Sequence, residues 1–361
     1  MKKVSIFALS SLMVEFLQKS AMLVGILFLL TSCAQLGPEL VKAGRSDYNI
    51  VLQQTEDEET ILNLVRVRYG DRPMFFEVSN VSTSFTWSQN AAANGTLLEY
   101  GGTDLARNSL SVRGDLQYTE RPTITYTPLG GKDFVKSVLT PADLDTFILL
   151  SNSGWSIERL LRLMVNRMNG LPNAPRASGP TPSDPPLYEK FIDAAKLMRH
   201  LQKKGMLRLG YQNIENEHTP VMVIDSEARA TKETLKLKEM LGLAIGKDTF
   251  TIDARGDRPR AESLGIDLRS LLGTFFFASH GVEVPGDDLE VGRAMTTKDK
   301  SGNPFDWSIV VGDLVSIRSQ TNKPDNAQVA IKYRGSWFYI NDSDLNTSSG
   351  GSHEQKGPRR R

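Results

Sequence analysis

The sequence contains almost no cysteine and little histidine. Cys33 is the only cysteine among 361 residues, so the chain cannot form an internal disulfide bond or a cysteine-based metal site. The four histidines are far apart in the sequence and follow no metal-ligand spacing. They are His200, His218, His280 and His353. We therefore expect no metal site and no cofactor.

Familiar catalytic motifs are missing as well. The sequence has no Gly-x-Ser-x-Gly nucleophile elbow, no glycine-rich dinucleotide loop, no phosphate-binding P-loop and no His-Glu-x-x-His zinc helix. We expect no catalytic site of a known class. The sequence thus leans against an enzyme without excluding one.

Neither sign of charge is in excess. The formal net charge is +1, and removing residues 1–32, with their three lysines and one glutamate, turns it into −1. A nearly neutral body does not attract an anionic partner strongly. We therefore expect no nucleic acid partner, and we interpret the terminal Arg359–Arg361 as part of an inert tail.

The longest apolar stretch near the N-terminus is too short for a membrane span. Ala21–Leu30 has 10 residues, whereas a transmembrane helix needs about 20. Two lysines open the chain and small residues follow the run, which is typical of a secretory signal peptide. The alternative is an uncleaved helix over residues 4–30. It would place Glu15 and Lys19 in the membrane, where charge is costly.

The apolar run ends in Leu30, Thr31, Ser32 and Cys33. These residues resemble the lipobox of bacterial lipoproteins, in which two small residues separate a leucine from a cysteine. The resemblance implies cleavage between Ser32 and Cys33, which removes residues 1–32 as a signal peptide. It also implies acylation at Cys33, palmitate included. Two or three acyl chains anchor a protein durably, since each buried CH₂ contributes about 0.8 kcal/mol.

The lipoprotein resemblance also implies a location. Ala34 follows the cysteine, and in a Gram-negative cell a residue other than aspartate at that position implies the outer membrane. We therefore expect an envelope protein that faces the periplasm and contacts the membrane through lipidated Cys33. Met13 is an alternative start to Met1, and it gives a compact signal peptide over residues 13–32.

Composition divides the remaining chain into three parts. Residues 33–46 predict a lipidated tether, because Gly37-Pro38 opposes a regular element. Residues 47–346 predict a globular body, and the polar residues 347–361 predict a disordered tail. Residues 171–186 hold six of the 17 prolines, which favours a loop within one body over a boundary between two domains.

Helical and strand-like segments occur in clusters instead of strict alternation. This order predicts an α+β fold with mainly antiparallel strands. We expect a first helix from Asp47 to Tyr69, ended by the segment around Gly70 and Pro73. We expect a C-terminal β-hairpin that turns at Arg334-Gly335-Ser336.

Local patterns also predict the elements between these two ends. Alternation of apolar and polar residues predicts a strand over Phe75–Trp87, and residues 90–102 are rich in Ala, Asn and Gly, which predicts a loop. The other expected elements are strands at Ser109–Tyr118, Thr123–Thr127 and Ile309–Arg318, and helices from Thr140, at Ser156–Asn169 and at Ile266–Ser279.

Charged and aromatic residues at the end of the first helix form one candidate interaction site. Arg66, Arg68 and Tyr69 precede Asp71 and Arg72 where the helix gives way to a strand. They have the chemistry to bind an anion or a partner's carboxylate. Internal ion pairing and capping of the helix end are the favoured interpretation.

The C-terminal hairpin carries the second candidate interaction site. Trp337 and Tyr339 share one face of a strand, and Phe338 takes the other. An exposed aromatic face indicates a recognition surface, whereas core packing is the favoured interpretation. His280 follows three phenylalanines, and we expect it at a helix C-terminus, where a cation is stabilised.

The body also resembles uncharacterised lipoproteins of proteobacteria, in residues 62–71 and 333–340. The resemblance implies class and location and transfers no functional site. We expect a non-enzymatic scaffold or an accessory subunit of a membrane-associated assembly, with envelope proteins as partners. The alternatives are an envelope hydrolase with an unfamiliar site and a carrier of a lipid or small ligand.

The lipobox assignment predicts the behaviour of a Cys33→Ala variant. Loss of the thiol removes the acyl acceptor, so the precursor should stay uncleaved and should take up no labelled palmitate. Ala34→Ser is the matched control and should be processed normally. Normal cleavage and labelling of the Cys33→Ala chain would refute the assignment.

Overall fold

The structure is a computed structural model that describes residue 20 and residues 36–96 and 109–344. Across these residues it contains nine helices and eleven strands in three sheets. The strands pair antiparallel except for one pair, which confirms the expected α+β fold. The chain divides into two compact units, Met1–Thr60 and Ile61–Arg361.

The first helix, α1, is longer than the sequence predicts. It spans Leu36–Arg68, so the part of the expected tether from Leu36 onward is helical instead of irregular. Proline disrupts a helix only when it lies in the helix interior. Pro38 lies in the first turn, where backbone N–H groups have no partner within the helix and a missing one costs nothing. Residues 33–35 lie outside the described part of the chain.

None of the helices within residues 36–96 and 109–344 combines the length and the apolar character that crossing a bilayer requires. Glu56 and Asp57 of α1 are exposed to solvent.

A long two-stranded ribbon follows α1. Strand β1 spans Phe75–Thr96 and pairs antiparallel with β2, Ser109–Leu129, with one irregularity between Val78 and Asn80. No other described strand pairs with either of them. At about 3.4 Å per residue the ribbon is roughly 70 Å long.

The ribbon corrects two predictions. The loop expected from Asn90 is strand as far as Thr96, and the remainder of that loop lies outside the described residues. The two strands expected on either side of Arg121-Pro122 are one continuous strand. Proline was taken to interrupt a strand, but an edge strand tolerates it when the nitrogen faces away from its neighbour.

A six-stranded sheet forms the centre of the larger unit. Its strand order is β4-β3-β8-β7-β6-β5, and β7 and β8 are the parallel pair. The strands are β3 Val165–Met168, β4 Leu171–Pro172, β5 Leu207–Ile214, β6 Glu217–Ile224, β7 Thr249–Asp253 and β8 Ser263–Leu268.

Five helices of this unit precede β7. They are α2 Gly131–Leu139, α3 Leu144–Asn152, α4 Ile157–Met164, α5 Glu189–Lys203 and α6 Lys232–Leu241. The main core joins the apolar faces of α3–α6 to the sheet, with Phe147, Phe191, Met198 and Phe250 fully buried. Each such side chain stabilises the fold by roughly 1.5–3 kcal/mol through burial.

Three expected helices have different boundaries. Thr140 caps the C-terminus of α2 instead of starting a helix, and α3 begins only at Leu144. The helix expected over Ser156–Asn169 stops at Met164, because the next residues pair with β8 as strand β3. The segment Ile266–Ser279 is likewise divided between β8 and a later helix. Pairing between distant strands, which no local pattern contains, decides both cases.

The proline-rich segment is packed in part. Residues Pro175–Ser178 form a short 3₁₀-helix, and Ala174 and Ala177 are fully buried. The segment lies within the larger compact unit, and the division of the chain falls elsewhere.

The C-terminal part combines short helices with a three-stranded sheet. The helices are α7 Leu271–Ser279, α8 Gly286–Glu290 and α9 Ser308–Val311; the strands are β9 Arg318–Gln320, β10 Ala327–Tyr333 and β11 Ser336–Asn341. The predicted hairpin is confirmed: Arg334 and Gly335 turn it with φ of 48° and 95°. The strand expected over Ile309–Arg318 is wrong, since α9 begins the segment and only Arg318 enters a strand.

A buried arginine connects β8 to the end of α4. The Arg269 guanidinium is fully buried and donates to the backbone carbonyls of Arg162 at 3.1 Å, Leu163 at 3.0 Å and Val165 at 2.6 Å. It also donates to the carbonyl of Asn173 and lies 4.0 Å above the Phe277 ring. The carbonyls of Arg162 and Leu163 have no helical partner at the end of α4, and the cation supplies a donor to both. Asn173 Nδ2 donates to the carbonyls of Arg162 and Val165 as well.

Replacement of this arginine should therefore destabilise the whole unit. We expect Arg269→Met to lower the free energy of unfolding by about 2–6 kcal/mol, because it leaves the buried carbonyls of Leu163 and Asn173 without their donor, at about 1–3 kcal/mol each. Urea denaturation measures the change. The matched control is Arg176→Met, which removes an ion pair with Asp184. The two side chains are 77% and 69% exposed, so this change should lower the free energy of unfolding by less than about 1 kcal/mol. Equal losses would contradict the role of Arg269.

Candidate functional site

The end of α1 meets the C-terminal hairpin in a network of hydrogen bonds. The Tyr69 hydroxyl donates to Asp288 Oδ2 at 2.6 Å, and Arg293 donates to Asp288 Oδ1 at 2.6 Å. The Tyr69 ring packs edge-on against Tyr333 and lies under the Arg334 guanidinium, 5.1 Å away. The hydrogen bond from Tyr69 lowers the pKa of Asp288.

Asp71 forms the second half of this network. It accepts hydrogen bonds from the Tyr333 hydroxyl and from Arg334 Nη2, the latter at 2.8 Å. The bond from Tyr333 lowers the pKa of Asp71, and burial raises the pKa of Tyr69. Both carboxylates of the network are thus ionised and paired within the chain, as the favoured interpretation expected for this junction.

The other residues of the first candidate site point to separate partners. Arg66 donates to Asn63 Oδ1 at 3.3 Å, and its carbonyl oxygen accepts the N–H groups of Tyr69 and Asp71. Arg68 donates to the Met295 carbonyl at 2.9 Å, and its burial lowers the pKa of its guanidinium. The structure therefore does not gather these cations into one anion site.

The aromatic candidates of the hairpin divide between two faces, as their alternation predicts. Phe338 is fully buried and packs edge-on against Tyr69. Trp337 and Tyr339 are half-buried on the other side, where the Lys323 ammonium lies 5.6 Å from the Trp337 ring. The core face is therefore the Phe338 face.

The most unusual buried polar group is His280. It is the C-terminal cap of α7 and only 6% exposed, and its ring centroid lies 3.9 Å from that of Trp307. Trp307 Nε1 donates to Thr297 Oγ1 at 3.1 Å, and that hydroxyl donates to the Pro182 carbonyl at 2.7 Å. Neither ring nitrogen of His280 has a hydrogen-bond partner within the described chain.

His280 is neutral at physiological pH. Burial, together with the nearby cations Arg68 and Arg269, lowers its pKa to about 3. The expectation of a cation at this helix terminus is therefore wrong, because desolvation exceeds the helix-dipole contribution. A base with this pKa abstracts protons poorly at neutral pH, so the arrangement does not favour general base catalysis. The sequence analysis noted His280, but the local sequence did not predict that its side chain is buried.

Open concavities complete the candidate surfaces. One of about 620 Å³ has Glu189 and Asp299 in its lining. A groove of about 680 Å³ lies between α2 and α7, lined among others by Asp133, Lys136, Met164 and Leu271. A pocket of about 330 Å³ is formed by the proline-rich segment. Asp133 is the only carboxylate that lines the groove, so it holds no pair of acids for hydrolysis. Within residues 36–96 and 109–344, no three His, Cys, Asp or Glu side chains group to hold a metal ion.

Comparisons with family models, with curated proteins and with solved structures return no significant match to this chain.

The neutral His280 predicts a pH dependence of stability. Its pKa is lower in the fold than in the unfolded chain, so the unfolded state binds the extra proton and stability falls as pH falls below about 6.5. Between pH 6.5 and 5 this contributes a loss of roughly 2 kcal/mol. His280→Phe should remove that loss, measured by urea denaturation at both pH values.

The matched control is His200→Phe at an exposed position, which should keep the pH dependence of the parent chain. If the His280→Phe chain loses as much stability between pH 6.5 and 5 as the parent, the buried neutral histidine is not its source.

Proposed function

We propose that this protein is a lipid-anchored envelope lipoprotein that acts without catalysis, as a scaffold or accessory subunit of a membrane-associated assembly. The observation that carries the proposal is the β1–β2 ribbon, whose 22 and 21 residues pair with no other described strand. An isolated two-stranded ribbon is at best marginally stable in water. A ribbon of this length therefore needs a partner.

The base of the ribbon is held firmly to the body. Asn63 is fully buried in α1 and binds Met74 twice: its Nδ2 donates to the Met74 carbonyl at 2.6 Å, and its Oδ1 accepts the Met74 N–H at 2.9 Å. The Phe75 ring packs edge-on against Phe275, with centroids 5.3 Å apart, and tilted against Phe134 at 5.9 Å. The body thus fixes where the ribbon starts.

The open edges of the ribbon suit recognition by strand addition. Each edge carries a row of backbone N–H and C=O groups, which another strand satisfies when it joins the sheet. Binding of this kind needs no catalytic group, in keeping with the lack of a carboxylate pair in the groove beside α2.

The anchor part of the proposal rests on sequence. Leu30-Thr31-Ser32-Cys33 supports lipidation at Cys33, and Ala34 supports the outer membrane, with the body facing the periplasm. The groove of about 680 Å³ supports the carrier alternative, because its size fits a small ligand and Met164 and Leu271 supply apolar surface.

Shortening the ribbon tests the proposed assembly role. Residues 83–122 are replaced by Asn-Gly, so that the paired residues Ser82 and Thr123 flank a two-residue turn. Envelope partners that mild detergent extraction recovers with the tagged full chain should be lost with the shortened one, because their pairing edge is gone.

The control places the same Asn-Gly turn at Glu215-Asn216, between β5 and β6, where both residues already have positive φ. That variant should recover all partners. Recovery of the same partners with the shortened ribbon would overturn the assembly role. So would recovery of no partner with the tagged full chain, where an untagged copy of this chain counts as a partner.

A further inference from the structure

The two edges of the β1–β2 ribbon differ in their ability to accept another strand. Pro122 and Pro128 lie in β2, opposite Thr83 and Phe76 of β1. Proline has no N–H group and is tolerated in a sheet where its nitrogen faces away from the paired strand. The outer edge of β2 therefore lacks two donors. The sequence of β2 also contains four charged residues, which oppose edge pairing.

The outer edge of β1 has neither obstacle. Glu77 is the only charged residue among the 22 of β1, and the strand contains no proline. Natural proteins protect long edges with charges, prolines or short strands. An edge of roughly 70 Å without these features is built for pairing.

The positions of β1 also specify how a further strand aligns. Ser82, Ser84, Thr86, Ser88 and Asn90 occupy every second position and are all polar. Phe85 and Trp87 between them are apolar, and alternate positions belong to opposite faces of a sheet. A slip by one residue would mix the two faces, so the register of any added strand is restricted.

From these observations we propose that the outer edge of β1 pairs antiparallel with the same edge of a second copy of this chain. The proposal rests on the assembly role of the ribbon and names its partner. Two-fold symmetric pairing gives a four-stranded sheet in the order β2-β1-β1-β2, which exceeds the three strands that independent stability requires. An axis perpendicular to the sheet keeps the polar positions of both copies on one face.

Charge favours this arrangement over a parallel one. Glu77 lies near the base of β1. Antiparallel pairing places the two Glu77 residues at opposite ends of the joined strands, whereas parallel pairing in register places them side by side, which is destabilising. The joined edges form on the order of 20 backbone hydrogen bonds along their length.

Single cysteines in β1 test the pairing, because Cys33 is the only natural cysteine. The full chain carries Ser82→Cys, Ser84→Cys, Thr86→Cys or Ser88→Cys, one at a time, in mild detergent. A copper–phenanthroline oxidant takes two electrons from two thiols, which lose their protons and join as a disulfide. The measurement is the fraction of covalent dimer, with the parent chain as background.

Antiparallel pairing predicts a maximum at the position nearest the two-fold axis, at least about tenfold above the parent, and a steep fall at neighbouring positions. Thr123→Cys and Thr125→Cys in β2 are the matched controls and should stay at background. Lysine at two of the other positions of this series, added to the best cysteine variant, should abolish the dimer through charge on the edge.

The other outcomes overturn the proposal in distinguishable ways. Equal crosslinking at every β1 position indicates parallel pairing, and crosslinking confined to β2 indicates the wrong edge. Background levels throughout exclude self-pairing. Background crosslinking at every position, combined with loss of partners from the shortened ribbon, leaves the assembly role intact and assigns the β1 edge to a different protein.

Discussion

Satisfaction of buried backbone carbonyls by Arg269 is the interaction on which the larger unit depends. Its guanidinium collects carbonyls from the end of α4 and from Asn173, and so joins a helix terminus, strand β3 and the proline-rich segment at one buried point. Burial lowers its pKa to about 9, which keeps it protonated at neutral pH. The Phe277 ring covers it and ties α7 to the same point.

Local signals in the sequence predicted some elements well. The end of α5 at Gly205 and the turn at Arg334-Gly335 both depend on residues with positive φ, a requirement that is visible in the residue types. The α+β class followed from the order of segments. By contrast, β3 and β8 are strands because they pair with each other across about a hundred residues of sequence. The local sequence of these two segments does not predict strands.

The sequence identified which residues belong to the candidate sites, but it did not show what each residue does in the fold. Tyr69 and Asp71 were singled out for their chemistry. In the structure Tyr69 donates to Asp288, and Asp71 accepts from the hairpin residues Tyr333 and Arg334. The environment of His280 depends on burial under Trp307 and on two cations from distant segments, which no sequence window contains. Pro122 suggested a break between two strands where the structure has one continuous strand, because edge strands tolerate proline and central strands exclude it.

The fixed rise per residue of the β1–β2 ribbon has a mechanical consequence. A coil changes its end-to-end distance freely, but a paired ribbon advances about 3.4 Å with each residue pair and resists compression along its axis. The hydrogen bonds between Asn63 and Met74 fix the base of the ribbon, so its length is set by the number of residue pairs. Insertions or deletions of two residues in each strand would change the length of the ribbon by about 7 Å and leave every other position on its original face.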